Sequence, residues 1–121
     1  FGLSEDDSTV DYPDYALPAA EAVAEGKCDA GILVCGTGIG MSICANKVRG
    51  IRCACVADCF SAEATRLHND ANVLALGARV TGDGLAPQIL DIFLTTPYSG
   101  ADRHTRRINK IKPIDEKYPG P

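Results

Sequence analysis

No stretch of this chain approaches the roughly 20 consecutive apolar residues that a membrane span needs, although hydrophobic residues make up 45% of it. A basic excess is absent too. Twelve Lys and Arg against sixteen Asp and Glu leave a net charge of −4, which argues against a nucleic-acid partner and against a phosphate-backbone surface. No C-x-x-C pair occurs among the six cysteines, so no metal site of the structural zinc type is expected. Internal repeats, low-complexity segments and a signal-peptide pattern are not visible either.

What is present is 121 residues, enough for one domain spanning 1–121 with its own core. Cys44, Cys53 and Cys55 lie within apolar runs, where a thiol behaves as a small hydrophobe. That setting points to a reduced, cytoplasmic protein rather than a secreted disulfide scaffold. The first residue is Phe1 rather than methionine, and residues are expected to precede it.

The chain is organised around Ala30 to Ile43, AGILVCGTGIGMSI. Ile32, Leu33 and Val34 form a continuous apolar run that suits a central strand buried on both faces of a parallel sheet. Cys35 ends the run, Gly36, Thr37, Gly38, Ile39 and Gly40 follow, and Met41 to Lys47 reads as the first turns of a helix. A strand, a glycine-rich turn and a helix start make an anion site, because backbone N–H groups can approach a ligand there.

Around this centre, Ser4 to Tyr12 reads as an acidic loop. Asp14 is expected to cap a helix from about Tyr15 to Glu25, with Pro18 tolerated in its first turns and Gly26 stopping it. A strand over Ile51–Ala57 and a helix over Phe60–His68, capped by Asp58 or Ser61, come next. A strand over Asn72–Leu76 is closed by Gly77. Helices are expected over Leu85–Leu94 and Asp102–Ile111, and Pro113 to Pro121 as a loose tail onto which Ile114 and Tyr118 could dock. Strand–helix alternation at this spacing predicts a three-layer α/β/α, Rossmann-like parallel sheet.

Four groups of residues could carry chemistry. Cys35, at the carboxyl end of a strand, faces the crevice where open α/β sheets bind ligands. Donors of the following turn would lower its pKa and make it a base or nucleophile. Gly36, Gly38 and Gly40 give G-x-G-x-G rather than the dinucleotide fingerprint G-x-G-x-x-G. Asp58 nevertheless falls about where a ribose-binding acid would, so a nucleotide-binding module is the runner-up. Arg103 and Arg107, four apart, share one helix face and could clamp a phosphate, with His104 and Arg106 adding to the cluster. His68 closes a helix at the amino edge of the sheet, opposite the edge that carries Cys35. If both are catalytic, the site is shared across a dimer.

The motifs Asp11-Tyr12-Pro13-Asp14-Tyr15-Ala16, Cys35-Gly36-Thr37-Gly38-Ile39-Gly40 with Ala45-Asn46-Lys47, His68-Asn69-Asp70-Ala71-Asn72-Val73-Leu74-Ala75 and Arg103-His104-Thr105-Arg106-Arg107 together resemble type B ribose-5-phosphate isomerase. That group includes the galactose- and allose-6-phosphate isomerases. The resemblance implies a cofactor-free, cytoplasmic aldose–ketose isomerase acting on a small sugar phosphate through an enediolate. It also implies a homodimer or dimer of dimers with shared active sites. Cys35 matches the general base; some members use a glutamate where this chain has Met41. Thr37 matches a residue assisting at the reacting end of the sugar. His68 matches the ring-opening acid/base supplied by the neighbouring subunit, and Gly36 to Gly40 match the backbone donors to the enediolate. Tyr12 and Asn69 match substrate contacts, Arg103 and Arg107 the phosphate clamp, and Arg79 is expected near the same site. The family pattern also carries a strand ending in an Asp-His pair, a helix and a second strand ahead of the point where this sequence starts. A missing N-terminal segment is therefore expected, with an inactive truncated homologue as the further alternative.

Overall fold

The computed structural model describes residues 1–2 and 10–118; most of the expected Ser4–Tyr12 loop, and the end of the tail, lie outside the described residues. The described chain runs α1 (Pro13–Ala24), β1 (Gly31–Cys35), α2 (Ile39–Ala45), β2 (Cys53–Cys55), α3 (Cys59–Asn69), β3 (Val73–Gly77), α4 (Leu85–Thr95), α5 (Asp102–Ile111) and α6 (Ile114–Lys117). Among the described residues no helix is long and apolar enough to cross a membrane.

The three strands are all parallel, in the order β1-β3-β2. Side chains alternate across β3, so its residues divide between two cores. Val73 and Ala75 pack with Leu33, with Ala16, Ala20 and Val23 of α1, and with Met41 and Ala45 of α2. Leu74 and Leu76 pack on the opposite face with Ala62 of α3 and with Ile89 and Phe93 of α4. The result is the expected three-layer α/β/α sheet.

The strand at its centre is not the one expected. All five residues of β3 are buried, whereas β1 lies at the edge of the sheet, with Ile32 36% and Val34 53% exposed. The reason is the crossover. The chain leaves β1, passes over the sheet to β2 and returns through α3 to insert β3 between them, so among the described residues β3 alone has a strand on each side. An apolar cavity of about 550 Å³ runs beside β1, bordered by Phe1, Val10, Tyr12, Tyr15, Ile32 and Val34.

β2 is three residues long, shorter than the expected Ile51–Ala57, because side chains replace part of its ladder. Within β2, Asn46 Oδ1 also accepts from Cys53 N at 2.8 Å and its Nδ2 donates to Cys53 O at 3.0 Å, bonds made in addition to the pairing with β3; the replacement lies just before the strand. Asn72 Oδ1 accepts from Arg52 N at 2.8 Å, and Asn72 Nδ2 donates to Gly50 O at 2.9 Å.

Helix ends differ in informative ways. α1 starts at Pro13, where a missing N–H costs nothing, with Tyr12 rather than Asp14 as N-cap and no side-chain cap bond. Pro18 then falls in the second turn, past the positions where its missing donor is free. α2 begins two residues earlier than expected and stops at Ala45. α3 is capped by Asp58, whose Oδ1 accepts from Ser61 N at 2.6 Å; this bond holds the carboxylate below its ordinary pKa. The tail is not loose from Pro113: α6 forms, and Asp115 Oδ2 accepts from Gly50 N at 2.9 Å. Ile114 and Tyr118 stay 50% and 70% exposed and do not dock.

Candidate active site

The parallel sheet sorts the candidate residues onto its two edges. Cys35 closes β1, and the glycine turn folds straight back over it, so that Gly38 N donates to Cys35 Sγ at 3.1 Å. Two opposing effects act on this thiol. Burial pushes its pKa up, but the N–H groups of Met41, Gly38, Thr37 and Gly40 together pull harder and leave it below the ordinary thiol value. The other thiols of the sheet go the opposite way. Burial, with Cys55 beside it, pushes Cys53 up to about 12. Cys55 is raised by burial and by Cys35, against a smaller pull from the Ser42 hydroxyl. Cys55 is also exposed rather than a core hydrophobe. Of these three thiols, the one shifted toward the thiolate is the one that meets the glycine turn.

The turn is held by atoms that only glycine admits. Gly38 has φ +81°, and a Cβ there would lie 2.9 Å from the carbonyl carbon of Leu76 and 3.1 Å from Cys55 Sγ. A Cβ on Gly40 would meet Cζ of Tyr12 at 2.5 Å, so the phenol ring of Tyr12 rests directly on the turn. Thr37 Oγ1 accepts from Ile39 N at 3.2 Å, which leaves its hydroxyl hydrogen free to donate elsewhere. Beyond the last β1–β3 pair, Ala78 N donates to Cys35 O at 2.8 Å and Arg79 N to Gly36 O at 3.0 Å. This continued pairing brings the Arg79 side chain over Gly36, where a Cβ would lie 3.6 Å from its Cδ and Nε. Cys35, Thr37, the three glycines, Tyr12 and Arg79 therefore form one cluster at the carboxyl edge.

His68, Asn69, Arg103 and Arg107 form the second cluster, at the amino edge. His68 and Asn69 are exposed in the last turn of α3, and Asp70 ends that helix in the left-handed conformation (φ 46°). Two half-buried arginines hold this corner. Arg52 Nε donates to Asn69 O at 2.9 Å and its Nη2 to Asp70 O at 2.8 Å; Arg66 Nη1 pairs with Asp70 Oδ1 at 2.9 Å. Arg103, Arg106 and Arg107 are exposed on α5, and among the described residues none of the three makes an ion pair. His104 does not belong to that exposed basic face. It is 6% exposed, and its ring lies 4.4 Å, centroid to centroid, from that of His68. Sequence reasoning also missed Arg52, Arg66 and Asp70, although the i, i+4 spacing of Arg66 and Asp70 is a usable helix-pair signal. Asp58 is engaged as a helix cap, which removes the acid on which the nucleotide reading leaned. Among the described residues no three His, Cys, Asp or Glu side chains converge as metal ligands do.

A parallel α/β sheet whose β1 carries a thiol, shifted below its ordinary pKa, into a glycine turn places the chain among Rossmann-like α/β proteins. Comparison with known proteins narrows this class. A family profile described as Ribose/Galactose Isomerase matches residues 1–111, and the chain belongs to that family, whose members are sugar-phosphate aldose–ketose isomerases. Ribose-5-phosphate isomerase B of Escherichia coli (strain K12) is 50% identical over 107 residues, 88% of this chain and 71% of that protein. The type B ribose 5-phosphate isomerase of Trypanosoma brucei superposes with a TM-score of 0.91 at 56% identity, over 94% of this chain and 76% of that one. Ribose-5-phosphate isomerase B from Mycoplasma genitalium, solved with bound ribulose-5-phosphate, gives a TM-score of 0.90 at 40% identity, over 96% and 76%.

Proposed function

We propose that this protein interconverts ribose 5-phosphate and ribulose 5-phosphate in the cytoplasm, with Cys35 as the general base and an enediolate as the intermediate. The observation that carries this reading is the Cys35 thiol, hydrogen-bonded at 3.1 Å to the glycine turn and lowered in pKa by its donors. The chemistry asks for that pairing. A C–H beside a carbonyl is weakly acidic, so a base succeeds only where the enediolate oxygen is stabilised as it forms. Backbone N–H groups of Gly36 to Gly40 supply that electrostatic stabilisation.

In the forward direction the Cys35 thiolate removes the proton from C2 of the open-chain aldose and returns it to C1. The hydrogen on O2 moves to O1, assisted by the free hydroxyl of Thr37. His68 opens the furanose ring first by proton transfer at the ring oxygen and the anomeric hydroxyl. Tyr12 and Asn69 contact the sugar, with Arg79 beside the turn. Arg103 and Arg107 clamp the phosphate, so that binding energy from a non-reacting group aligns C1 and C2 with the base. Because the two clusters occupy opposite edges, one complete site takes Cys35 from one subunit and His68 from the other.

The family's description also covers galactose isomerases, which keeps hexose 6-phosphates as the second reading. Coupled turnover of ribose 5-phosphate against galactose 6-phosphate and allose 6-phosphate decides between them. Ribose 5-phosphate is expected to give the highest kcat/KM. Turnover of a hexose phosphate alone would overturn the pentose assignment.

Changing Arg103 or Arg107 to alanine is expected to weaken binding of the sugar phosphate and of inorganic phosphate by about 1.5–3 kcal/mol, the scale of a hydrogen bond to a charged group. Titration of each variant with inorganic phosphate checks this. Affinity equal to that of the unsubstituted protein would make the pair a solvated face.

A further inference from the structure

We propose that Ser99 and His104 are positioning residues that orient the His68 ring for its proton transfer; this rests on the ring-opening role given to His68 above. His68 is exposed at the end of a helix, where an imidazole left alone turns freely about two side-chain bonds. Proton transfer needs it within hydrogen-bond reach of one oxygen. Two separate devices remove that freedom. Arg52 fixes the backbone just after it, through Asn69 O and Asp70 O. The ring itself rests on His104 of α5, at 4.4 Å between centroids and 36° between planes.

His104 is itself held from the opposite side. Its Nδ1 pairs with Ser99 Oγ at 3.0 Å, and the same Oγ accepts from Ala101 N at 3.2 Å. With Ala101 N on one lone pair, the Ser99 hydroxyl still has a hydrogen and a second lone pair, so it holds Nδ1 in either tautomer of His104. Ser99 is in turn anchored to α3, because its backbone N donates to Leu67 O at 3.3 Å, one residue before His68. Tyr98 OH and Thr105 Oγ1, 2.7 Å apart, brace the same segment against α5. Leu67, Ser99, His104 and His68 thus close a loop of contacts in which His104 is buried and the proposed acid/base is exposed. Burial first, then His68, Arg103 and Arg107, push the His104 pKa down.

Two reactions separate positioning from general damage. Conversion of cyclic ribose 5-phosphate requires ring opening. Exchange of the C1 hydrogen of ribulose 5-phosphate with deuterated water requires the Cys35 chemistry and no ring step. His104→Ala and Ser99→Ala are expected to lower kcat for the aldose, His104→Ala by roughly tenfold, with KM within about twofold and exchange unchanged, as a misplaced group predicts. His104→Phe, which keeps the ring contact, recovers part of the loss. Ser99→Ala leaves the ring pair in place and tests the proposal even if His104→Ala fails to fold.

Unsubstituted kcat in both Ser99→Ala and His104→Ala would overturn the proposal. So would an equal loss of turnover and exchange. His68→Ala separates the two levels of the argument. If it shows the same split and the other variants do not, positioning by Ser99 and His104 fails alone. If His68→Ala turns the aldose over normally, the ring-opening role falls, and the proposal with it.

Discussion

Replacing Cys35 with alanine is expected to abolish isomerisation while leaving the fold and phosphate binding intact. The thiol is half-buried at the end of β1 and accepts a hydrogen bond from Gly38 N. Its loss therefore removes little packing and leaves the turn's other ties, from Ala78 and Arg79, in place. What disappears is the base. General-base catalysis contributes about 10²–10⁴-fold, and here no neighbour replaces it. Cys55 is held above the ordinary thiol value chiefly by burial, which does not depend on the Cys35 charge, and the next helix offers Met41, which cannot titrate. Solvent-tritium exchange into the substrate is expected to vanish together with turnover. Near-normal exchange in Cys35→Ala would decide against this residue as the base. The pH profile of kcat/KM adds a sign check. The active form is the thiolate, so activity falls as pH drops through the Cys35 pKa, and that acid limb lies below the ordinary thiol range.

The strand, turn and helix start around Cys35 were legible because each rests on local chemistry. An apolar run and closely spaced glycines act within a few positions of one another. Strand order was not legible. Ile32-Leu33-Val34 and Val73-Leu74-Ala75-Leu76 are equally apolar, and only the crossover through β2 places the second between its neighbours. The length of β2 was overread for a related reason. The Asn72 side-chain amide takes Arg52 N and Gly50 O just ahead of it, and such contacts leave no trace in hydrophobic periodicity. His104 was readable in principle. It stands four before Ile108, both are buried on α5, and that spacing marks an inward face. Its place inside a run of arginines hid it among charges that point outward.

Activity is expected to return when two inactive variants are mixed, because the proposed site takes residues from two subunits. Cys35 closes β1 at the carboxyl edge, whereas His68 lies in the last turn of α3, at the amino edge of the same sheet. Five-residue strands at ~3.3 Å per residue put roughly 16 Å between those edges. That is too far for both side chains to reach the reacting end of one pentose within a subunit, since each must come within hydrogen-bond distance of its own atom. A two-fold axis removes the difficulty by bringing the His68 edge of one subunit to the Cys35 edge of the other. Cys35→Ala and His68→Ala are each expected to be inactive alone. After subunit exchange, each mixed dimer holds one site with both residues missing and one site with both intact. Random mixing makes half the dimers mixed, so activity should approach about a quarter of that of the unsubstituted protein. No recovery, with exchange proven by mass spectrometry, would mean that Cys35 and His68 do not meet across a dimer axis.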